Sequence, residues 1–568
     1  MAEDLERLVR GYALKNAVKH GGKARVGSVM SMILGEHPEL KPRAREIAAI
    51  AGRIVEEVNR LSPEEQKRIL DDEYPEIAAE KPRGGQEKPR LPPLPGAEEG
   101  KVKTRFAPNP DFVIHIGNAR PAILSDEYAK MYKGRMVLRF EDTDPRTKRP
   151  LREAYDLIKE DLKWLGVEWH EEHVQSLRMP VYYDVMREAL GRGCAYIDLC
   201  GEESRELLRS GRACHTRDKP VEWQLEQFDR MLAGEYGEGE AVVRFKTRLD
   251  HPNPSVRDWV AMRIIDTERY PHPLTGSKYR VWPTYNFAVS VDDHMMGVTH
   301  VLRAKEHEVN TEKQGYVYKC MGWETPVYIH FGRLKLEGFI MSKSYIRKIM
   351  EENPGKFMGY DDPRFGTIAG LRRRGILPEA IREAIISLGV KPGDVTLSWD
   401  NLAAINRKML DAAADRIMYV NDPAELVVEA GECMEAEVPY HPDKPGRVKR
   451  IRVCPGDRVY VNRGDASGEV RLLGLDNFRV EEGRLVHVGG GLEYARSRRL
   501  PIIQWAPVEG SVKVRVLKPV GLELEAEEGY AEPALREYKP DSRLQFIRYG
   551  FVRVDSAGEE YTVIYSHQ

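Results

Sequence analysis

Two short segments carry residues whose types suit the handling of a nucleotide. In the first, Arg105-Phe-Ala-Pro-Asn-Pro-Asp runs on to His115-Ile-Gly-Asn118, where a strand gives way to a helix. A helix start leaves backbone N–H groups unpaired and carries the positive end of the helix dipole, so it favours a phosphate. Gly117 permits close approach there, and His115 can donate to phosphate oxygens. In the second, Gly338-Phe-Ile-Met-Ser-Lys-Ser344 is a Gly- and Ser-flanked loop that carries Lys343 more than 200 residues downstream. The mobile point charge of a lysine suits the extra negative charge of a phosphate under attack. Taken singly, the two segments also describe an ordinary helix cap and an ordinary surface loop.

The elements that must position these groups can be read around them. From Lys101 the pattern is a strand (KVKTRFA), a turn (PNPD), a helix from Asn118 to about Lys133 and a second strand (MVLRFE), the opening of a βαβ unit. A charged, mixed segment over 197–275 interrupts it. Strand-like stretches resume at Tyr279–Val291 and Val327–His330, which predicts an insertion splitting one α/β domain spanning 101–330. Residues 331–420 are helical and basic, including Leu371-Arg-Arg-Arg374. Over 421–568 short alternating stretches such as VKRIRVCPGDRVYV, SVKVRVLKPV and FIRYGFVRVDS predict a β-barrel or sandwich.

Residues 1–80 read as a helical appendage. Leu5, Leu8, Val9 and Tyr12 fall on one face, as do Ile47, Ile50, Ile54 and Val58, and Ser62-Pro-Glu-Glu65 has the form of a capping box. The Pro, Gly and charge content of 81–100 predicts a linker.

Composition bounds the function classes. At 568 residues, about three to five units of ordinary size are expected. No apolar run approaches the roughly 20 residues that span a bilayer, and the acidic, amphipathic start MAEDLERLVRG is unlike an export signal. The six cysteines are too few and scattered for a disulfide framework, so a reducing, cytoplasmic setting is expected. Lys and Arg number 88 against 90 Asp and Glu, a net charge of -2. A polyanionic partner would therefore have to meet a local basic face.

Together with RFAPNP, the two nucleotide segments resemble the HIGH and KMSKS signatures of class I aminoacyl-tRNA synthetases, in the right order and separation. The resemblance extends to the glutamyl/glutaminyl branch through four further stretches. They are Arg139-Phe-Glu-Asp-Thr-Asp-Pro145, Tyr285-Asn-Phe-Ala-Val-Ser-Val-Asp-Asp293, Asp361-Asp-Pro-Arg-Phe-Gly-Thr-Ile-Ala-Gly-Leu-Arg-Arg-Arg-Gly375 and Arg543-Leu-Gln-Phe-Ile-Arg-Tyr-Gly-Phe551. The end of the chain, with Ile502-Ile-Gln-Trp505, looks like the tandem β-barrels of glutaminyl-type enzymes. With the helical appendage, the whole is similar to archaeal glutamyl-tRNA synthetases.

The resemblance implies a multidomain protein with a Rossmann-type α/β catalytic domain. Its insertion would hold the tRNA acceptor end, 331–420 would contact the stem, and the barrels would bind the anticodon. It implies an enzyme that uses ATP and Mg2+ to activate L-glutamate and transfer it to the 2′-hydroxyl of the terminal adenosine of tRNA; nothing in the sequence suggests an obligate interface, so a monomer is expected. His115, Gly117, Asn118, Ser342, Lys343 and Ser344 would hold ATP, with His115 and Lys343 stabilising the reacting phosphate. Arg105 and Arg303 match arginines that hold the substrate carboxylates, Glu141 the acid that faces the ammonium and Tyr285 a pocket hydroxyl; Asn109 lines the same turn.

Two positions depart from the family pattern: Asn118 stands for the last His of HIGH, and Ile340 for the first Lys of KMSKS. Glutaminyl enzymes carry an uncharged residue at the position of Arg303, which favours glutamate, because an arginine left unpaired against a neutral side chain would cost several kcal/mol. The partner is then the tRNA for glutamate; charging of the tRNA for glutamine as well is the open alternative.

Arg372, Arg373, Arg374, Arg496, Arg498 and Arg499 are candidate phosphate contacts for tRNA. Cys200, Cys214 and His215, near Asp198, are a weaker expectation for zinc, because their spacing is not a paired CxxC set. Three rival readings remain: a glutaminyl-tRNA synthetase, against which Arg303 argues; a small nucleotidylyltransferase, which would lack the barrels; and an inactive tRNA-binding scaffold, against which the retained His115, Lys343, Arg105 and Glu141 argue.

Overall fold

Ser62 caps its helix as its sequence predicts. Its Oγ accepts from the Glu65 N–H (3.3 Å), and the Glu65 carboxylate accepts from the Ser62 N–H (2.9 Å). This cap starts the helix Pro63–Glu73 in a unit of its own, Met1–Arg90, built from Ala2–Lys19, Val26–Glu36, Ala44–Val58, Pro63–Glu73 and the short turn Pro75–Ala78. Leu5, Val9, Tyr12, Ile47, Ile54 and Val58 are buried in its core, while Leu8 and Ile50 pack partly buried against it. The computed structural model describes residues 2–19, 22–78, 91–444 and 446–568. The first ten residues of the expected linker fall outside these.

Its last ten residues are not a linker. Leu91 and Leu94 are buried in the core of the second unit, Leu91–Gln568, so two apolar residues in a Pro-rich stretch outweigh its composition.

The catalytic layer is a parallel sheet. Lys103–Phe106 pairs with Arg135–Phe140, which pairs with Glu171–Val174. Beside Lys103–Phe106 runs His300–Ala304, itself parallel to Val327–Phe331; Thr299 N–H donates to Lys103 O at 2.9 Å across the join. The helix Ile116–Met131 covers this sheet with Ile116, Ala119, Ile123 and Leu124 inward. Parallel strands linked by helices leave their carboxyl ends free for a ligand crevice.

The insertion is larger than expected. Its antiparallel sheet takes in Ala195–Asp198, Val242–Phe245, Val260–Ile264 and Val281–Pro283, and its core extends from Met179 to Met321. Tyr285–Val291, expected as strand, begins the helix Tyr285–Met295. That helix is buried on all sides from Asn286 to Asp293, so its apolar run lacks the amphipathic period that distinguishes helix from strand.

The β region forms two seven-stranded, barrel-like sheets that are nested and not consecutive. The chain first lays Arg416–Ile417 and Tyr419–Val420 into the sheet proximal to the catalytic body. It then builds the distal one from Pro423–Glu429 to Trp505–Pro507, with the hairpin Met434–Pro439 and Val448–Val453 packed against its core, and returns to the proximal sheet at Val512–Val520. Lys449 and Glu532 join the two segments in a fully buried ion pair, with Glu532 also accepting from Met418 N–H at 2.7 Å.

The cysteines correct the composition argument. All six are paired, as Cys194–Cys320, Cys200–Cys214 and Cys433–Cys454. Scattered cysteines can be neighbours in space, and disulfides also persist inside cells of heat-adapted archaea, so this pairing does not assign a compartment. No helix among the described residues is long and apolar enough to cross a membrane.

Lys449→Met should cost about 3–5 kcal/mol in denaturant unfolding, because it leaves Glu532 buried and charged. Adding Glu532→Leu should restore most of that, short of the bond to Met418 N–H. A loss below about 1 kcal/mol for Lys449→Met alone would mean that the pair does not tie the sheets together.

Candidate active site

One cleft of about 880 Å³ opens at the carboxyl ends of the parallel strands. Its lining gathers Arg105, Asn109, His115, Gly117, Asn118, Glu141, Tyr285, Arg303 and Lys343 from segments spread over 240 residues of sequence. Ser342 and Ser344 are outside the lining: Ser342 caps the helix Lys343–Glu352 by accepting from Tyr345 N–H, and its Oγ is 3.2 Å from that of Ser344.

At the nucleotide end, His115 is itself the N-cap of Ile116–Met131. Its Nδ1 accepts from the N–H groups of Gly117 (3.1 Å) and Asn118 (3.3 Å), while Asn118 Oδ1 accepts from His115 N–H. With Nδ1 accepting, the ring proton sits on Nε2. Burial and then the Lys343 ammonium push this imidazole down to about 4, so it is a neutral donor near pH 7. The Asn118 side chain therefore closes the cap, a role its amide performs without charge. A Cβ on Gly117 would lie within about 3.0 Å of the His115 ring and of Leu334 O, so glycine is required for the fold of this turn itself.

Lys343 Nζ rests 2.9 Å from Asp111 Oδ1, with Arg347 donating to Asp111 O. Asp111 closes the PNPD turn, but nothing in the sequence marked it as the resting partner of a lysine so far away.

The amino-acid end is organised by Asp293. Its Oδ1 accepts from Arg139 (2.7 Å) and from Arg105 Nε (3.3 Å), and Arg139 also donates to Glu141 Oε1 at 3.0 Å. Burial works to raise Asp293, but the two guanidiniums outweigh it and hold it below the usual carboxylate range. At Glu141 burial wins and the carboxyl is raised, against the pull of Arg139 and Arg105. Arg139 and Asp293 lie inside motifs quoted above yet were not singled out; the nearness of Arg139 to Glu141 was an available signal, whereas only the fold brings Asp293 to them.

Arg105 NH2 is buried and has no protein partner. Arg303, also buried, is surrounded only by neutral groups: Tyr285 Oη (3.4 Å), Thr311 Oγ1, Gln314 Oε1 (3.0 Å) and the Tyr328 ring, whose centroid is 4.8 Å away. Tyr285 keeps its proton, since burial and then Glu141 raise it. His307, beside it, is pushed down to about 4 by burial and by Arg303.

Residues 101–412 match the model of the tRNA synthetases class I (E and Q) catalytic domain, and 414–491 and 502–555 match the two anti-codon binding domain models of the same group. The chain is 65% identical to a glutamate–tRNA ligase of Aeropyrum pernix and 50% identical to one of Pyrococcus furiosus, over the whole of both chains in each case. The chain belongs to the class I tRNA synthetases of the E and Q group. A solved glutamate tRNA ligase from Elizabethkingia meningosepticum, in complex with its amino acid, is 24% identical with a TM-score of 0.41; the match covers 55% of this chain and 70% of that one.

The matched anti-codon binding domains exclude a small nucleotidylyltransferase. The basic residues proposed to meet tRNA in this class I synthetase fall into two sets. Arg496, Arg498 and Arg499 are exposed at the end of the helix Gly491–Arg498. In the other set, Arg372 pairs with Glu160 (2.9 Å), and Arg373 is held by Asp555 through two bonds and by Asp361. Arg374 is buried over Trp399 (4.2 Å) and Phe339 (5.2 Å), so it cannot reach a phosphate as placed. The sequence showed three adjacent charges; burial decides that they serve different ends.

The zinc expectation is not met by the residues as bonded. Cys200, Cys214 and His215 do cluster, but both sulfurs are taken by their mutual disulfide, and the thiolate is what binds metal. Asp198 turns away, to Arg244 and Ser204.

Folded His115 and His307 titrate near 4, below the ordinary imidazole value of about 6.5. The unfolded chain therefore binds more protons across that window, and stability should fall as pH is lowered through it. Denaturant unfolding at pH 7 and pH 5 checks this: a His115→Gln, His307→Gln double variant should lose less stability on acidification than the wild type. Equal losses would place both imidazoles near their ordinary value.

Proposed function

We propose that this chain is a glutamate–tRNA ligase whose selectivity rests on charge balance in the buried pocket. At its amino-acid end the guanidiniums of Arg105 and Arg139 are matched by the carboxylates of Glu141 and Asp293, whereas no carboxylate pairs with Arg303 among the described residues. His307 and Tyr285 are neutral at pH 7. Arg303 thus carries a positive charge with no protein counter-charge, and glutamate, with two carboxylates and one ammonium, brings one negative charge. Glutamine brings none and would leave a buried cation unpaired, a penalty of several kcal/mol. The observation that carries this reading is the wholly neutral surroundings of Arg303.

In the reaction, Arg303 receives the side-chain carboxylate, the free N–H groups of Arg105 the α-carboxylate, and Glu141 the ammonium. The α-carboxylate oxygen attacks the α-phosphorus of ATP, and the bond to the departing pyrophosphate breaks to leave glutamyl-adenylate. The 2′-hydroxyl of the terminal adenosine then attacks the acyl carbon; its proton is lost and AMP departs. No protein nucleophile takes part. His115 Nε2–H and the Lys343 ammonium stabilise the phosphate as charge builds on it, and Lys343 exchanges Asp111 for phosphate to do so. Asp111 and Asp144 are carboxylates of the cleft lining that would be available to hold Mg2+, which would supply offsetting charge to the phosphates. Arg496, Arg498 and Arg499 contact tRNA phosphates from the distal barrel.

Arg303→Ala should lower kcat/KM for glutamate about 10²- to 10⁴-fold, the scale of a lost buried charge pair. Aminoacylation with glutamate and with glutamine, each on the tRNAs for glutamate and for glutamine, checks this. Glutamate on its own tRNA alone marks a discriminating enzyme, and glutamate on both a relaxed one. Efficient glutamine transfer by the wild type, or no loss with Arg303→Ala, would overturn the pocket reading.

A further inference from the structure

Gln314 lies behind Arg303 on the helix Glu308–Met321, fully buried and outside the lining of the cleft. A guanidinium only donates, so Gln314 must turn its oxygen toward Arg303 and its NH2 away. Gln314 Nε2 donates to Asn286 Oδ1 (3.2 Å), Asn286 Nδ2 to Asn310 Oδ1 (3.1 Å), and Asn310 Nδ2 to His307 Nδ1 (3.1 Å). Each amide fixes the orientation of the next. The chain ends on an imidazole nitrogen that must accept, which also receives Tyr285 Oη at 3.4 Å. Tyr328 Oη donates to the same Gln314 oxygen at 3.4 Å, so the ring under Arg303 and the amide behind it are joined.

This arrangement solves a particular problem. A buried guanidinium left without partners would be costly or would swing toward the nearest carboxylate, and one paired with a carboxylate would no longer need the substrate. A neutral oxygen of fixed direction holds the cation in place and leaves its charge available. We propose that Gln314 is a specificity-positioning residue: its amide, oriented by the Asn286–Asn310–His307 relay, aims Arg303 into the cleft without neutralising it. The substrate side-chain carboxylate is then the first full counter-charge that Arg303 meets. The inference rests on the glutamate reading given above and adds to it the group that keeps the selecting charge both fixed and unspent.

The isosteric Gln314→Glu variant tests it, because it changes charge and not shape. Full-length protein is assayed by aminoacylation in the presence of tRNA, with glutamate and with glutamine. Gln314→Glu should raise KM for glutamate roughly 30- to 300-fold, with kcat within about threefold, and should narrow the preference for glutamate over glutamine by a similar factor. Asn310→Ser, which breaks the relay at a less buried point, should raise KM about 3- to 10-fold in the same pattern and carries the test if Gln314→Glu does not fold. A merely structural role would lower kcat or melting temperature and leave the amino-acid preference unchanged, and that result overturns the proposal. Arg303→Ala is run alongside. If it leaves KM for glutamate unchanged, the pocket reading itself fails; if it raises KM while Gln314→Glu and Asn310→Ser behave as wild type, only the positioning role fails.

Discussion

Asp293 is the group on which the rest of the cleft depends. Two guanidiniums converge on one of its buried oxygens; the other opposite charges near them are Glu141 and, for Arg139, the more weakly acting Asp292. Two arginines packed this way without the carboxylate would repel each other, at a low effective dielectric that magnifies the repulsion. The fold meets this constraint by construction. Arg105 ends the first strand of the sheet, Arg139 is in the second, and Asp293 comes from a helix that enters from the far side of the insertion. The insertion therefore completes the buried charge cluster as well as extending the molecule.

That dependence explains why some of the site was legible in the sequence and some was not. Arg105, Glu141, Tyr285 and Arg303 could be placed because a resemblance assigns them roles that face the substrate. Asp293 and Arg139 act on those residues and not on substrate, so a reading from substrate chemistry passes over them. Asp111 is invisible for another reason: its partner Lys343 is distant in sequence, and only the folded chain brings the helix start at Lys343 against the PNPD turn. Arg374 and the cysteines misled in the opposite way. A run of three arginines reads as a basic surface until Trp399 and Phe339 are seen to cover the last of them, and six dispersed cysteines read as unpaired until the chain closes each pair. Periodicity gave the catalytic strands and the β region. It failed at Tyr285–Val291, where a helix buried on every face has no polar side to reveal its period.

The same physics distributes rigidity through the β region. Because the chain enters the proximal sheet before building the distal one, the proximal sheet is complete only with residues on both sides of the distal one in sequence. Residues of the proximal sheet bond directly to the catalytic body: Asp555 holds Arg373 through two bonds, Ser566 Oγ donates to Arg374 O, and His567 meets Asn406 at 2.8 Å. Arg374 in turn packs over Phe339, in the loop that carries Lys343. The arginines first read as facing tRNA thus include two that fasten a barrel beneath the nucleotide loop.

The two ends of the cleft use charge in opposite ways, and the difference follows from burial. At the amino-acid end the guanidiniums and carboxylates are buried among fixed partners, and the proposed discrimination rests on their inability to relax to suit a neutral side chain. At the nucleotide end Lys343 is about a quarter exposed and held by one exchangeable bond to Asp111, while His115 stays neutral through burial and the influence of that same ammonium. A movable charge costs little to displace and can follow a phosphate whose charge distribution changes during reaction. Fixed charge suits selection of a substrate whose charge is constant, and mobile charge suits stabilisation of a group whose charge is in transit; this chain separates the two over the length of one cleft.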